Sequence, residues 1–157
     1  SYFGDLDFLF LDLPPGTGDI AISVGQLLPH AEILVVTTPQ PSASDVAWRS
    51  GDVARQTGQT VLGVIENMSG VTLADGTRLD VFGSGGGQAV AERLKVPLLG
   101  SLPLSPNLRE AGDEGTPLVI ADPDNAVSKH LREIAQKIVR SGPSKVGKKL
   151  PVSQKIS

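Results

Sequence analysis

The sequence predicts an α/β protein: a parallel sheet with helices on both faces and a β-hairpin inserted late in the chain. Three observations carry that expectation. Short apolar runs of strand length alternate with helix-length amphipathic segments from the first residues onward. The runs Phe8-Leu9-Phe10-Leu11 and Ile33-Leu34-Val35-Val36 are apolar at every position, as strands covered on both sides must be. Between Val71 and Phe82 the pattern changes to two short stretches around Asp75-Gly76, a dipeptide that suits the positive φ of a tight hairpin turn.

Taken in order, Phe8 to Asp12 is the first strand, and its uninterrupted apolar character places it centrally. Asp19 is positioned to cap a helix through Leu28, which Pro29 ends. Glu32 to Thr38 follows as a second buried strand, closed by Thr37-Thr38-Pro39-Gln40. Ser42 and Asp45 resemble a capping box, and Ala43, Val46, Ala47, Val53 and Ala54 give the next helix an inward face up to Gly58. Thr60 to Glu66 is the third strand. Beyond the hairpin, the glycine-dense stretch Gly83 to Gly87 leads into a helix from about Gln88 to Leu94. Pro97 to Leu102 is a fourth, short strand, and Ser105-Pro106 opens a short helix that stops at Gly112. Asp122-Pro123 starts a last helix whose Val127, Leu131, Ile134 and Ile138 form one apolar stripe, ended by Gly142-Pro143. Residues 1–142 read as one domain; residues 143–157, with four lysines and no acid, read as a basic, flexible tail.

Composition narrows the function. With 157 residues, 39% of them hydrophobic, the chain can bury a core. A net charge of -3 gives no basic footprint for nucleic acid. Zero cysteine excludes disulfides and any zinc or iron-sulfur cluster held by this chain's own thiolates. No apolar run approaches the ~20 residues of a membrane span, so a cytoplasmic protein without membrane partners is expected.

In open α/β sheets ligands bind beyond the carboxyl ends of the strands. Here that rule selects Asp12, Thr38 to Gln40, Asn67 and Pro103. Asp12 opens the string Asp-Leu-Pro-Pro-Gly-Thr-Gly-Asp, yet no G-x-x-x-x-G-K-[ST] loop occurs anywhere in the chain. The sequence therefore carries half of a nucleotide site. Asp12 suits Mg²⁺, bound directly or through a water; the competing role is a loop cap, which the following Pro-Pro-Gly-Thr-Gly disfavours. Gly16 offers a backbone N–H where a side chain would block a phosphate. Asn67 carries a donor and an acceptor on one planar amide, which suits an adenine edge and equally suits a turn. Gln40 and Asp45 lie at the same mouth, with helix capping as the alternative. The run Gly83-Ser84-Gly85-Gly86-Gly87 lacks the Lys and Ser/Thr of a phosphate loop and reads better as a hinge or tight turn. His30 and His130 fall in unrelated patterns and are expected to face solvent. Trp48 and Phe82 are expected in core or interface.

The strings DLPPGTGD (12–19), TTPQ (37–40), ENMS (66–69), GGG (85–87), PLLG (97–100) and REAGD (109–113) together resemble the Mrp/ApbC-type iron-sulfur cluster carrier ATPases. These belong to the deviant P-loop group that includes MinD-like and ParA-like ATPases, and the resemblance runs from about residue 5 to 140. It implies a partial P-loop NTPase-like, MinD-like sheet that binds ATP and Mg²⁺. Asp12 resembles the Walker-B or switch-II acid acting on Mg²⁺, and Gly16 falls near the γ-phosphate; these two are the implied catalytic positions. Asn67 is similar to the adenine-reading asparagine, Pro103 lies in the loop that closes over the base, and Gln40 borders the same site. Members form dimers, hold a cluster across the interface and pass it to apo-proteins. Two departures stand out. The Walker A loop and switch-I acid would precede Ser1, and the cluster-holding C-x-x-C, due between Ser69 and Phe82, is absent. The chain is thus expected to be the carboxyl-terminal part of such an ATPase, inactive by itself and prone to self-association. The rival readings are a MinD/ParA-like positioning ATPase and a non-enzymatic dimerisation or scaffold module.

Overall fold

The computed structural model describes residues 4–14, 18–73 and 75–141. Its centre is a three-stranded parallel sheet made of β1 (Glu32–Thr37), β2 (Thr60–Glu66) and β5 (Leu98–Ser101), in the order β1-β2-β5. Parallel neighbours require crossovers, and helices supply them on one face while later helices cover the other. On one face, α2 (Pro41–Gln56) and α3 (Gly86–Leu94) close over Val35, Val61 and Val64 with Ala47, Ala54, Val90, Ala91 and Leu94. Small residues on α2 let it lie close: a Cβ on Gly51 would stand 2.6 Å from a Leu94 methyl. On the other face, α4 (Pro106–Asp113), α5 (Leu118–Ala121) and α6 (Ala126–Ser141) bury Leu102, Ala111, Leu118, Val127 and Ile134 with Leu99 of β5. The apolar stripe read from the sequence is the buried face of α6, with Leu131 and Ile138 partly covered beside Val127 and Ile134. The hairpin also forms, as β3 (Val71–Thr72) and β4 (Arg78–Leu79), paired antiparallel and shorter than the alternation implied.

The expected first strand is not formed. Residues 8–11 are irregular, and Phe8, Leu9, Phe10 and Leu11 stay 50 to 66% exposed. A strand is stable only where a neighbour accepts its ladder of hydrogen bonds. Among the described residues, β1 pairs with β2 alone, so its other edge is open and the 8–11 run is joined to no strand. Sequence pattern identified a segment fit for burial but could not supply its partner.

Smaller corrections concern helix ends. Helix α1 (Asp19–Leu27) takes Gly18, not Asp19, as its N-cap, and Asp19 instead adds negative charge to the first turn. The Ser42–Asp45 capping box is absent: Gln40 occupies the N-cap of α2 with Pro41 behind it, and Ser44 Oγ donates to the Thr38 carbonyl. Asp45 faces Arg93 of α3 at 3.5 Å, and that guanidinium lies 3.5 Å from the centre of the Trp48 ring, so Trp48 serves the α2–α3 junction. Helix α3 begins two residues early, at Gly86. The last helix begins at Ala126, where Asn125 Oδ1 accepts from the Val127 amide, and the short α5 precedes it. Ser105 caps α4 as expected, accepting from Leu108 N, and α4 runs one residue past Gly112. His30 and His130 are exposed. The Gly142-Pro143 stop and the lysine tail lie outside the described residues.

Candidate functional site

The carboxyl ends of β1 and β2 converge because the sheet register places Thr37 opposite Glu66, and Glu66 opposite Ser101 of β5. Hydrogen bonds then continue past the strands. The Asn67 amide donates to the Thr37 carbonyl (2.7 Å), and the Leu102 amide to the Glu66 carbonyl (2.8 Å). The loops after β2 and β5 are zipped together by Ser69 N to Leu102 O (2.9 Å), Leu104 N to Gly70 O (2.7 Å) and Ser69 Oγ to Leu102 O (3.1 Å). This brings Asn67 and Pro103 to one edge on adjacent loops.

Asn67 is partly exposed, and its Oδ1 accepts from the Met68 amide at 2.9 Å. Met68 itself has a left-handed φ of 58°, so the chain turns sharply directly after this contact. The bond fixes the plane of the carboxamide, and among the described residues Nδ2 donates to no protein acceptor. A pinned amide with a free N–H₂ and a second lone pair on oxygen matches the donor and acceptor pair that adenine presents at N6 and N7.

The Thr38–Gln40 segment joins this edge through the glycine run. Gly86 packs so closely that a Cβ would stand 2.5 Å from both the Pro39 carbonyl and Ser44 Oγ, and a Cβ on Gly87 would stand 2.6 Å from Glu66 Cβ. The Gly87 amide donates to the buried Glu66 carboxylate at 2.6 Å. The glycines are therefore a packing joint rather than a phosphate loop, and Gly85, in the left-handed N-cap position (φ 79°), makes the turn into α3. Glu66 is the residue whose importance pattern reading missed. The signal was present: an acid ending an otherwise apolar, buried strand must find donors. Thr38 Oγ1, at the end of β1, is buried with no hydrogen-bond partner among the described residues. Gln40 occupies the N-cap of α2, its carbonyl accepting from Ser44 N and its side chain making no cap bond.

Asp12 is exposed on the irregular segment, and no hydrogen bond or ion pair among the described residues joins it to this edge. Gly16 lies outside the described residues. No group of three or more potential His, Cys, Asp or Glu metal ligands gathers among those described. Concave surfaces of about 320 and 200 Å³ occur along α6, the first lined by Arg132, Ala135, Gln136, Val139 and Arg140, the second by residues of α6 and β5. The first is mainly aliphatic helix surface; the second gathers Ser101, His130, Glu133 and Lys137 away from the Asn67 edge, which is itself an open ledge.

A parallel sheet with helices on both faces and loops gathered at its carboxyl edge is the arrangement of open α/β proteins, which bind ligands at that edge. Solved structures agree. A nucleotide-binding protein in complex with ADP from Archaeoglobus fulgidus is 30% identical, with a TM-score of 0.65 over 80% of this chain and 51% of that one. The cell division ATPase MinD of Pyrococcus furiosus is 27% identical, with a TM-score of 0.57 over 71% of this chain and 43% of that one. The family model described as ParA: NUBPL iron-transfer P-loop NTPase matches residues 1–139, and the chain belongs to that family. Among curated relatives, iron-sulfur cluster carrier proteins of Mycobacterium bovis and Synechocystis are 61% and 44% identical over 85% and 87% of this chain. The chain spans only 37% and 39% of the length of those two proteins.

Proposed function

We propose that this chain carries the base-recognition side of the nucleotide site of an ATP-dependent iron-sulfur cluster carrier. The observation that supports this most is the pinned Asn67 carboxamide beside the Pro103 loop and the Thr38–Gln40 segment, in a chain of the iron-transfer P-loop NTPase family. The donor set fits a purine edge, and Thr38 Oγ1 is buried there without a partner among the described residues. The phosphate side fits less completely. A P-loop contributes backbone N–H groups and a lysine to the phosphates, and these 157 residues contain no such motif. Asp12 is the residue to hold Mg²⁺, directly or through water, with Gly16 near the terminal phosphate of a nucleotide whose phosphates a P-loop segment holds.

Catalysis of phosphoryl transfer consists largely of positioning and charge neutralisation, so this chain by itself should hydrolyse no ATP. Hydrolysis above a protein-free control would contradict that. A cluster is cargo for such a carrier, and its thiolate ligands must come from outside these residues, which contain no cysteine. In the intact carrier the clients are apo iron-sulfur proteins, the working unit is a homodimer and the compartment is the cytoplasm. Transfer of a cluster from the full-length protein to an apo-ferredoxin, followed by the client's visible absorbance, tests the carrier role. Binding of the full-length protein to liposomes or DNA without cluster transfer would favour a positioning ATPase instead.

A further inference from the structure

We propose that Glu66 is a positioning residue for base recognition, its carboxylate holding the amino end of α3 against the strand ends and thereby fixing the neighbouring Asn67. The inference rests on the reading of Asn67 as the base-reading residue. Glu66 is only 6% exposed. Its backbone is engaged on both sides, by β1 through the register with Thr37 and by the Leu102 amide beyond β5. The side chain is thus the link left to reach the third layer, and its Oε2 accepts from Gly87 N at 2.6 Å. No cation pairs with this carboxylate among the described residues; the buried Gly87 N–H and the positive end of the α3 dipole take that part. Gly86 and Gly87 permit the approach, since a Cβ at either would collide with Pro39 and Ser44 or with Glu66 itself.

The consequence for recognition follows from adjacency. Asn67 is the next residue, its amide tied to Thr37, and Pro39 on the opposite side of the ledge is held by the same helix end. One carboxylate therefore sets the spacing between the β1 loop and the β2 loop. Without it, the α3 terminus has a free N–H, the Pro39 segment packed on that terminus loses its support, and the backbone bond from Asn67 N to Thr37 O is left to hold the two loops in register. A charge-assisted bond is stronger than a neutral one, so glutamine, which can still accept from Gly87, should substitute only in part.

The test uses the chain together with the coding sequence preceding Ser1, and fluorescent ATP and GTP analogues as probes. The unaltered protein should prefer the ATP analogue, and Asn67→Ala should reduce that preference by at least about tenfold, the scale of a bidentate amide–adenine contact. Glu66→Ala should reduce it to a similar extent while affinity for the GTP analogue persists, and Glu66→Gln should lower it by about threefold. Full preference in Glu66→Ala, with the loss in Asn67→Ala, would reduce Glu66 to a structural role and overturn the proposal. Should Glu66→Ala fail to fold, undiminished preference in Glu66→Gln overturns it equally. Unchanged preference in Asn67→Ala, or binding of neither analogue by the unaltered protein, overturns the underlying reading and the proposal with it.

Discussion

At the scale of single residues, the sheet edge is governed by close approach and by pairing of buried polar groups. Removing the Glu66 side chain leaves the Gly87 amide without its acceptor, a loss of about 1.5–3 kcal/mol for a hydrogen bond to a charged group. Gly87→Ala attacks the same joint from the other side, because its Cβ would lie 2.6 Å from Glu66 Cβ. Overpacking of that kind costs about 1–3 kcal/mol. Urea denaturation of both variants should show lower midpoints with unchanged slopes, and the double variant should lose less than the sum, since the two changes break one contact. Additive losses would mean that the two residues act separately.

At the scale of elements, local chemistry decides where helices and turns begin. Ser105→Ala should cost about 1 kcal/mol, because the Leu108 amide loses its cap. The hairpin turn is held by Asp75, whose Oδ1 accepts from the Thr77 amide at 2.9 Å. That backbone bond, helped by the Thr77 hydroxyl, lowers the Asp75 pKa below the ordinary carboxylate value. A depressed pKa means the ionised form supports the turn at neutral pH, and the support is lost as pH falls below the ordinary value and through the lowered one. Proton resonances of Thr77 should therefore shift only at strongly acid pH, and in Asp75→Asn that titration should vanish. Such features were legible in sequence: Ser105-Pro106, Asp75-Gly76 and the stripe on α6 each carry a local signal that tertiary structure did not override. The Ser42–Asp45 box also looked local, but Pro41 took the first helical position and Ser44 turned to Thr38, so one residue's shift in the start removed it. Glu66 lay in plain view and stayed unread because its partner, a backbone amide 21 residues away, leaves no trace in side-chain pattern.

At the scale of the molecule, the dominant fact is that, among the described residues, β1 has one unpaired edge and the apolar run 8–11 joins no strand. Phe10 is 66% exposed and Val36, on β1, 60%. Proteins seldom leave such edges and patches uncovered, and the chain should self-associate as its concentration rises. Light scattering that reports a monomer across a hundredfold concentration range would contradict this. Phe10→Ser should change the stability of the chain by no more than about 0.5 kcal/mol, as an exposed substitution does. If residues 8–11 become a covered strand in a longer protein, the same substitution there should cost about 2–4 kcal/mol, the scale of losing a buried aromatic. The apolar pattern of 8–11 was readable from sequence, whereas its exposure depends on a partner strand that no pattern within these residues could supply.

The central claim is that this chain holds one side of an ATP site whose phosphate side lies elsewhere. Calorimetric titration with Mg-ATP of the chain alone, and of the chain with its upstream coding sequence restored, tests it most directly. The chain alone should give no measurable heat of binding, and the extended protein should bind saturably, with the affinity weakened by Asn67→Ala. Tight Mg-ATP binding by the chain alone, or none by the extended protein, would contradict it.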